Sequence, residues 1–222
     1  MADVAQLVER RFVVPVVAGS IPVVRPRGFT AKFPDMTLAA LILDGGKATR
    51  FGGTDKAFVS LHGRPLIEHV LERLLPQASF IAISANCDPS RFAAYGLKVI
   101  ADAPAFAGCG PLAGVAAGLR WAADEGAEFL LTMPVDTPFF PRTLATDLSP
   151  GPSVAVYAGR QHHLASLWPS AFLPELEDFL RRDTKYKVRD ALALCGARTV
   201  SFVSPRDPFA NLNSPQDLSA FG

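Results

Sequence analysis

The sequence predicts an α/β fold, in which a mostly parallel, twisted sheet carries helices on both faces. Short continuous apolar runs, which are typical of buried parallel strands, recur along the chain. Segments with apolar residues at helical spacing lie between several of these runs. Strands that alternate with helices in this way generally form one sheet that is covered on both faces.

Each predicted strand is an apolar run that ends at glycine, proline or polar residues. The first run ends at Gly45–Gly46, and Pro134 stops the fourth. The fifth and sixth runs are expected to pair across a turn at Gly159–His163. In chain order, the predicted strands are Leu38–Leu43, Phe80–Ser84, Leu97–Ala101, Glu128–Met133, Val154–Ala158, Leu164–Trp168 and Thr199–Val203.

The predicted helices lie between or after these strands. Pro65–Leu75 has apolar residues at helical spacing, and Leu112–Ala123 is rich in small residues. Two further helices are predicted at Leu173–Arg182 and Lys187–Leu194. A last helix is expected to begin at Ser214, because a serine N-cap followed by proline and then an acidic third residue is a typical helix start.

The composition of the 222 residues excludes several functional classes. An apolar fraction of 49% excludes a disordered chain, and no apolar run reaches the roughly 18 residues of a membrane span. The net charge of +1 gives no basis for non-specific binding to nucleic acid. Cys87, Cys109 and Cys195 are odd in number and widely spaced, so they predict neither a disulfide framework nor a metal site. A reducing, cytoplasmic location is the simplest interpretation.

The first 35 residues differ from the rest of the chain. They contain four prolines, of which Pro15 and Pro22 interrupt the apolar runs, and no steady helical or strand period remains. Asp3 and Glu9 precede the apolar part, which argues against a signal peptide. We interpret residues 1–35 as a disordered leader or as the product of a mis-assigned start, with Met36 as the native first residue. Residues 36–222 are expected to form a single domain.

Polar residues follow the ends of four predicted strands. In sheets of this type, ligands bind beyond the carboxyl ends of the strands. We therefore expect one edge of the sheet to gather Asp44–Lys56, Ser84–Asn86, Asp102 and Asp136.

The segment from Leu43 to Lys56 is the strongest candidate for a phosphate-binding loop. Its paired glycines, which begin at Gly45, would let backbone N–H groups approach phosphate oxygens. Arg50 and Lys56 add positive charge suited to a polyphosphate. The segment contains neither GxGxxG nor GxxxxGK[ST], which excludes the dinucleotide-binding and P-loop motifs. A flexible surface turn is the alternative interpretation.

Asp136 is the main candidate for a metal ligand. It follows an apolar strand, where a carboxylate could hold Mg²⁺ beside nucleotide phosphates. The alternative is that Asp136 caps the following turn. Asp102 supports a weaker version of the same argument. Asn211 and Asn213 precede the last helix, where they could bind a metal or phosphate, or only hydrogen-bond within their loop.

Five sequence blocks together resemble one known family. From Leu43 to Leu218 the chain contains, in order, LDGGKATRFGGTDKA, LHGRPLIEHV, GPLAG, PVDTPF and FANLNSPQDL. These blocks resemble those of the molybdenum cofactor guanylyltransferases, whose first signature reads L-A-G-G-x-x-x-R-[MF]-G-G-x-D-K. The resemblance covers the chain from about Met36 to its end. It implies a Rossmann-like nucleotidyltransferase that uses Mg²⁺ to transfer GMP from GTP to the terminal phosphate of molybdenum-molybdopterin, with release of pyrophosphate.

The resemblance also implies which residues contact the nucleotide. Leu43, Asp44, Gly45 and Ser84 would border the guanine and the ribose, and Asp102 would contact the nucleotide as well.

The catalytic roles implied by the resemblance fall on charged and amide side chains. Arg50 and Lys56 would face the triphosphate, and Asp136 would bind Mg²⁺. Asn211 or Asn213 would lie near the metal or the pterin phosphate.

Three positions depart from the family pattern. Asp44 replaces the usual alanine and Ser84 the common asparagine, and either change could alter base recognition. The family often has His-Pro near His162–His163, where proline is missing here. We expect both histidines in the hairpin turn, from which one would line the pterin groove.

Two alternatives remain at this stage. The first is a related transferase that uses CTP or acts on a sugar phosphate. The second is a non-catalytic carrier of nucleotide or pterin. The expected partners are GTP, molybdenum-molybdopterin and, transiently, molybdoenzymes, without nucleic acid or membrane. We expect a monomer or a weak oligomer.

Overall fold

The computed structural model of the chain describes residues 37–44, 55–182 and 185–220. The predicted leader, Gly45 and Arg50 lie outside the described residues. Within them, nine strands and six α-helices are present. The strands are β1 Leu38–Leu43, β2 Ser60–Leu61, β3 Arg64–Pro65, β4 Phe80–Ser84, β5 Lys98–Ile100, β6 Phe129–Pro134, β7 Ser153–Tyr157, β8 Arg160–Pro169 and β9 Arg198–Phe202. The helices are α1 Leu66–Leu74, α2 Pro111–Asp124, α3 Leu144–Leu148, α4 Leu173–Arg182, α5 Val188–Leu194 and α6 Pro215–Ala220.

Seven of the described strands form one sheet in the order β5-β4-β1-β6-β8-β7-β9, and β2 and β3 form a small separate hairpin. β8 runs antiparallel to β6 and β7, whereas the remaining pairs of neighbours are parallel. The prediction of a mostly parallel sheet is therefore confirmed. β1 lies inside the sheet between β4 and β6, and all six of its residues are buried, which explains their uninterrupted apolar character.

Helices cover both faces of this sheet, as predicted. On one face α1 packs through Val70 and Leu71 against a core that includes Ile42 of β1. On the other face α2 packs through Leu119 against a core that includes Leu41. Since neighbouring residues of β1 point to opposite faces, one strand contributes to both cores.

The glycines of α2 let this helix approach the sheet closely. A Cβ atom added at Gly114 would lie 2.5 Å from Ser84 Oγ, and one added at Gly118 would overlap the side chain of Leu41. Small residues in the predicted helix thus allow contact with β1 and β4.

The hairpin between β7 and β8 corrects one prediction. The turn consists of Ala158 and Gly159, which both have positive φ, and Tyr157 pairs with Arg160 directly across it. A two-residue turn of this kind matches the twist of the strands and lets pairing begin immediately. β8 therefore starts at Arg160, and His162 and His163 lie in the strand rather than in the turn.

The C-terminal segment packs against β2 and the start of α1. Leu212 is fully buried in a small core with Leu61 and Leu66. The predicted cap of α6 is present, because the backbone N–H of Asp217 donates to Ser214 Oγ at 3.2 Å. This packing brings the residues before α6 beside the end of β6.

Candidate active site

The carboxyl ends of the central parallel strands meet at one edge of the sheet. The backbone N–H of Asp44 donates to the carbonyl of Ser84 at 3.0 Å, and that of Val135 donates to the carbonyl of Leu43 at 3.1 Å. These bonds extend the pairing just beyond β1, β4 and β6. The polar residues that follow the strands are therefore held side by side, as their positions in the sequence predict.

A cavity of about 550 Å³ opens at this edge. Every nucleotide, metal or phosphate residue that the sequence predicts within the described part of the chain lines it. These residues are Leu43, Asp44, Lys56, Ser84, Asp102, Asp136, Asn211 and Asn213.

Lys56 and Asp136 form the central ion pair of the cavity. Lys56 begins a 3₁₀ turn, and its Nζ donates to Asp136 Oδ2 at 2.6 Å and to Asn213 Oδ1 at 2.5 Å. The side chain of Asp136 is 9% exposed and that of Lys56 is 21% exposed. The backbone carbonyl of Asp136 also accepts a hydrogen bond from Leu212 at 2.8 Å. Three segments that are far apart in sequence thereby meet around the Lys56–Asp136 ion pair.

Thr137 links Asp136 to the second asparagine. Its hydroxyl donates to Asn211 Oδ1 at 3.1 Å and lies 3.4 Å from Asp136 Oδ1. Thr137 is buried. The side chains of Asn211 and Asn213 are thus linked to Asp136 through Thr137 and Lys56, respectively.

Asn86 and Asp102 form a second polar pair in the cavity. Asn86 Nδ2 donates to Asp102 Oδ2 at 2.8 Å, and the backbone N–H of Asp102 donates to Asn86 Oδ1 at 3.0 Å. This reciprocal pair connects the ends of β4 and β5. It gives Asp102 a structural contact in addition to its predicted role at the nucleotide.

Asp44 has an unusual electrostatic environment. Burial raises the pKa of its carboxyl to about 6, and the negative charge of Asp55 adds to this rise. Arg91 opposes the rise, but it forms an ion pair with Asp55 and stacks 5.3 Å above the ring of Phe58. Asp44 therefore titrates closer to neutral pH than an ordinary aspartate does.

The donor atoms at Asp136 fit a magnesium ion. Carboxylate and amide oxygens are hard ligands, and proteins often hold Mg²⁺ with one or two carboxylates while phosphates and water complete the shell. Asp136, Asn211 and Asn213 supply one carboxylate and two amide oxygens. Among the described residues, no group of three or more His, Cys, Asp or Glu side chains is placed to hold a metal. The arrangement thus suits a metal whose coordination is completed by oxygen atoms of a substrate and by water.

A second cavity of about 410 Å³ adjoins the first and shares Pro134, Leu164 and Asn211 with it. Its other lining residues include both histidines of β8 and three cations. These are His162, His163, Arg160, Lys187 and Arg189.

The two histidines of this second cavity are partly buried. Burial lowers the pKa of both imidazoles. The ring of His162 packs against that of Phe209 with centroids 4.9 Å apart and planes tilted by 36°. Its buried Nε2 lies 3.6 Å from Asp207 Oδ1 and has no hydrogen-bond partner within the described ranges. The predicted position of one histidine in a groove beside the nucleotide is consistent with this placement.

Comparison with known proteins identifies the family. Residues 40–200 match the MobA-like NTP transferase domain. The chain is 49% identical to the molybdenum cofactor guanylyltransferase of Acidiphilium cryptum, over 82% of this chain and 93% of that protein. It is 45% identical to the molybdenum cofactor guanylyltransferase of Rhodobacter capsulatus, over 83% of this chain and 94% of that protein. The chain belongs to the molybdenum cofactor guanylyltransferase family. It is an enzyme with a nucleotidyltransferase domain.

Solved structures agree with this guanylyltransferase fold. The molybdopterin-guanine dinucleotide biosynthesis protein A from Archaeoglobus fulgidus has a TM-score of 0.65 and 23% identity, covering 83% of this chain and 96% of that one. The 2-C-methyl-D-erythritol 4-phosphate cytidylyltransferase from Thermus thermophilus has a TM-score of 0.57 and 20% identity, covering 83% of this chain and 97% of that one. Both confirm the predicted nucleotidyltransferase fold.

The candidate site contains residues that sequence reasoning did not single out. Thr137 lies inside the PVDTPF block but carries no charge, so only its contact with Asn211 reveals it. Arg160, Lys187 and Arg189 lie in no recognised motif, and they come together only because α5 packs beside β8. Within the described part of the chain, no helix is long and apolar enough to cross a membrane.

Proposed function

We propose that this family member transfers GMP from GTP to the terminal phosphate of molybdenum-molybdopterin. An oxygen of that phosphate forms a bond to the α-phosphorus of GTP. The bond between the α-phosphorus and its bridging oxygen breaks, and pyrophosphate leaves with the electron pair. The observation that carries the proposal is the convergence of Lys56, Asp136 and Asn213 in one cavity at the strand ends.

The chain's own groups fit such a reaction without a general base. The attacking phosphate is already an oxyanion at neutral pH, so catalysis rests on alignment and on neutralising charge. Lys56, whose side chain lines the cavity, and Arg50 are both proposed to contact the triphosphate. Leu43, Asp44 and Ser84 line the cavity, and we assign guanine and ribose to their side of it. Gly45, which lies outside the described residues, is proposed to border the same groups.

Mg²⁺ is proposed to bind at Asp136, with Asn213 or Asn211 supplying an amide oxygen. When bound, it would neutralise charge on the triphosphate. Asp136 is almost fully buried beneath Lys56, which keeps its carboxylate oriented towards the cavity.

The second cavity is proposed to hold the pterin substrate. It shares a wall with the nucleotide cavity, so a phosphate that enters at Asn211 would approach the nucleotide directly. Arg160, Lys187 and Arg189 give this cavity a positive lining suited to an anionic ligand. All three cysteines are free thiols, which is consistent with the reducing cytoplasm in which we place the reaction.

The test is pyrophosphate release with molybdate-loaded molybdopterin and Mg²⁺, with GTP, CTP, ATP and UTP offered separately. Release with GTP alone supports the proposal and shows that Asp44 and Ser84 are compatible with guanine. Release with CTP retains the mechanism but contradicts the assigned base. Nucleotide binding without any release would favour a non-catalytic carrier.

A further inference from the structure

Lys56 donates hydrogen bonds to the same two oxygen atoms that are proposed to bind the metal. Its Nζ lies 2.6 Å from Asp136 Oδ2 and 2.5 Å from Asn213 Oδ1. A magnesium ion bound to the same two oxygens would lie about 2.1 Å from each. On the side of the oxygens that Lys56 faces, the ammonium group and the metal would overlap. One cation therefore excludes the other from this pair of ligands.

We propose that Lys56 is a built-in substitute for the divalent cation, and that the triphosphate draws it away so that the metal can bind. This inference rests on the proposed function, because it takes Asp136 as the metal ligand. The side chain of Lys56 lines the nucleotide cavity and is 21% exposed, so its ammonium group has space to turn towards a phosphate. The metal thus enters together with the nucleotide rather than before it.

The charges around Asp136 explain why the exchange needs the nucleotide. Asp136 is a single carboxylate, and Lys56 already balances its charge. A divalent cation added beside Lys56 would face a nearby positive charge in a partly buried site, where such repulsion is poorly screened. A triphosphate brings several negative charges, so it can accept the ammonium group and leave the two oxygens to the metal.

The exchange predicts coupled binding of metal and nucleotide. Part of the nucleotide's effect on the metal would come from removing Lys56, and by linkage the metal would strengthen nucleotide binding by the same factor. If Lys56 is replaced by an uncharged residue, the metal should bind well on its own and the coupling should decrease.

The experiment measures Mn²⁺ binding to the nucleotide-free full chain by electron paramagnetic resonance. Lys56→Met keeps the length of the side chain and removes its charge. We expect this variant to bind Mn²⁺ between about 5-fold and 150-fold more tightly than wild type, the usual range for coupling between ligands. Lys98→Met is the matched control, since its side chain is 61% exposed on β5 and pairs only with Glu125 at 3.7 Å in the salt bridges of the described residues. It should bind Mn²⁺ as wild type does.

Two further measurements make the outcome unambiguous. The double variant Lys56→Met/Asp136→Asn should lose the gained affinity, which would locate the metal at Asp136. Calorimetry with a GTP analogue that has a methylene bridge between its α- and β-phosphorus atoms should show a larger effect of Mg²⁺ in wild type than in Lys56→Met. Circular dichroism checks folding, and Lys56→Gln replaces Lys56→Met if the latter does not fold.

Each outcome separates the exchange from the proposed function. If wild type binds Mg²⁺ with the analogue but Lys56→Met binds Mn²⁺ no better than wild type, the exchange is wrong while the metal role remains. If no variant binds metal even with the analogue, the metal role of Asp136 and the exchange both fail.

Discussion

At the scale of single residues, Asp136 combines a structural and a chemical contribution. Its backbone carbonyl holds Leu212, and its carboxylate holds Lys56. A change at this position therefore has to preserve the shape of the side chain if it is to report on charge alone.

We expect Asp136→Asn to lower turnover by about 100-fold or more, the scale of losing a main electrostatic contributor. Asparagine can still accept a hydrogen bond from Lys56, so the fold should be retained while the charge needed for a metal is lost. The measurement is pyrophosphate release with GTP at saturating Mg²⁺. Asp147→Asn, an exposed carboxylate on α3, is the control and should react at the wild-type rate. An unchanged rate in Asp136→Asn would exclude the metal role.

Asp44 makes the stability of the protein depend on pH. The folded state raises its pKa from 3.8 to about 6, so the folded state binds more protons than the unfolded state between these values. The stabilising effect of the neutral form is therefore complete below about pH 4 and is lost as the pH rises through about 6.

We expect Asp44→Asn to be more stable than wild type at pH 7.5, with the difference disappearing towards pH 4. A shift of about two pKa units corresponds to at most about 3 kcal/mol of unfolding free energy. Urea unfolding at both pH values measures the difference. A stability difference that is the same at both pH values would contradict the assignment.

At the scale of secondary structure, α2 shows how composition determines packing. Its small residues predict a helix that packs closely against another element, but they do not show which strand or helix that element is. The structure shows that Gly118 faces Leu41 and Leu130, which are both fully buried.

We expect Gly118→Ala to destabilise the protein, although alanine is the better helix former by roughly 0.5–1 kcal/mol. The added Cβ would overlap Leu41 and lie 3.0 Å from Leu130 Cδ2, in a core without free space. Overpacking of this kind costs typically about 1–3 kcal/mol. Thermal unfolding gives the sign directly, and a raised melting temperature would show that the core can adjust. Ala123→Gly, at an exposed position of α2, is a useful comparison because it reports the difference in helix propensity without a change in core packing.

The strands also show where sequence reasoning reaches its limit. β1 is apolar throughout because both of its faces are buried, so its bounds are predicted correctly. The first half of β8 is polar, because Arg160 and Gln161 are exposed there. Its pairing is set by the two-residue turn and not by hydrophobicity, so the apolar pattern alone predicts a later start at Leu164.

At the scale of the whole molecule, the gathering of polar residues around the cavity at the strand ends could be predicted, because a parallel sheet brings consecutive strand ends to one edge. Leu43, Ser84 and Asp136 follow from this rule and from the family motifs. The second cavity could not be predicted in this way, since Arg160, Lys187 and Arg189 come together only through the packing of α5 on β8. Their spacing in the sequence gives no period or motif.

This difference leads to a prediction about how the two cavities divide the substrates. If the second cavity binds the pterin, the double variant Lys187→Ala/Arg189→Ala should raise KM for molybdopterin by about tenfold or more, the factor that corresponds to 1.4 kcal/mol. KM for GTP should stay within about twofold of wild type, because neither side chain lines the nucleotide cavity. Both side chains belong to exposed residues, so the fold should be unaffected.

Lys98→Ala is the control for this prediction. Lys98 lies on the edge strand β5, lines neither cavity, and its removal should leave both KM values unchanged. Steady-state kinetics with each substrate varied in turn measures the division, and an equal rise in both KM values would mean that the two cations act through the nucleotide site instead.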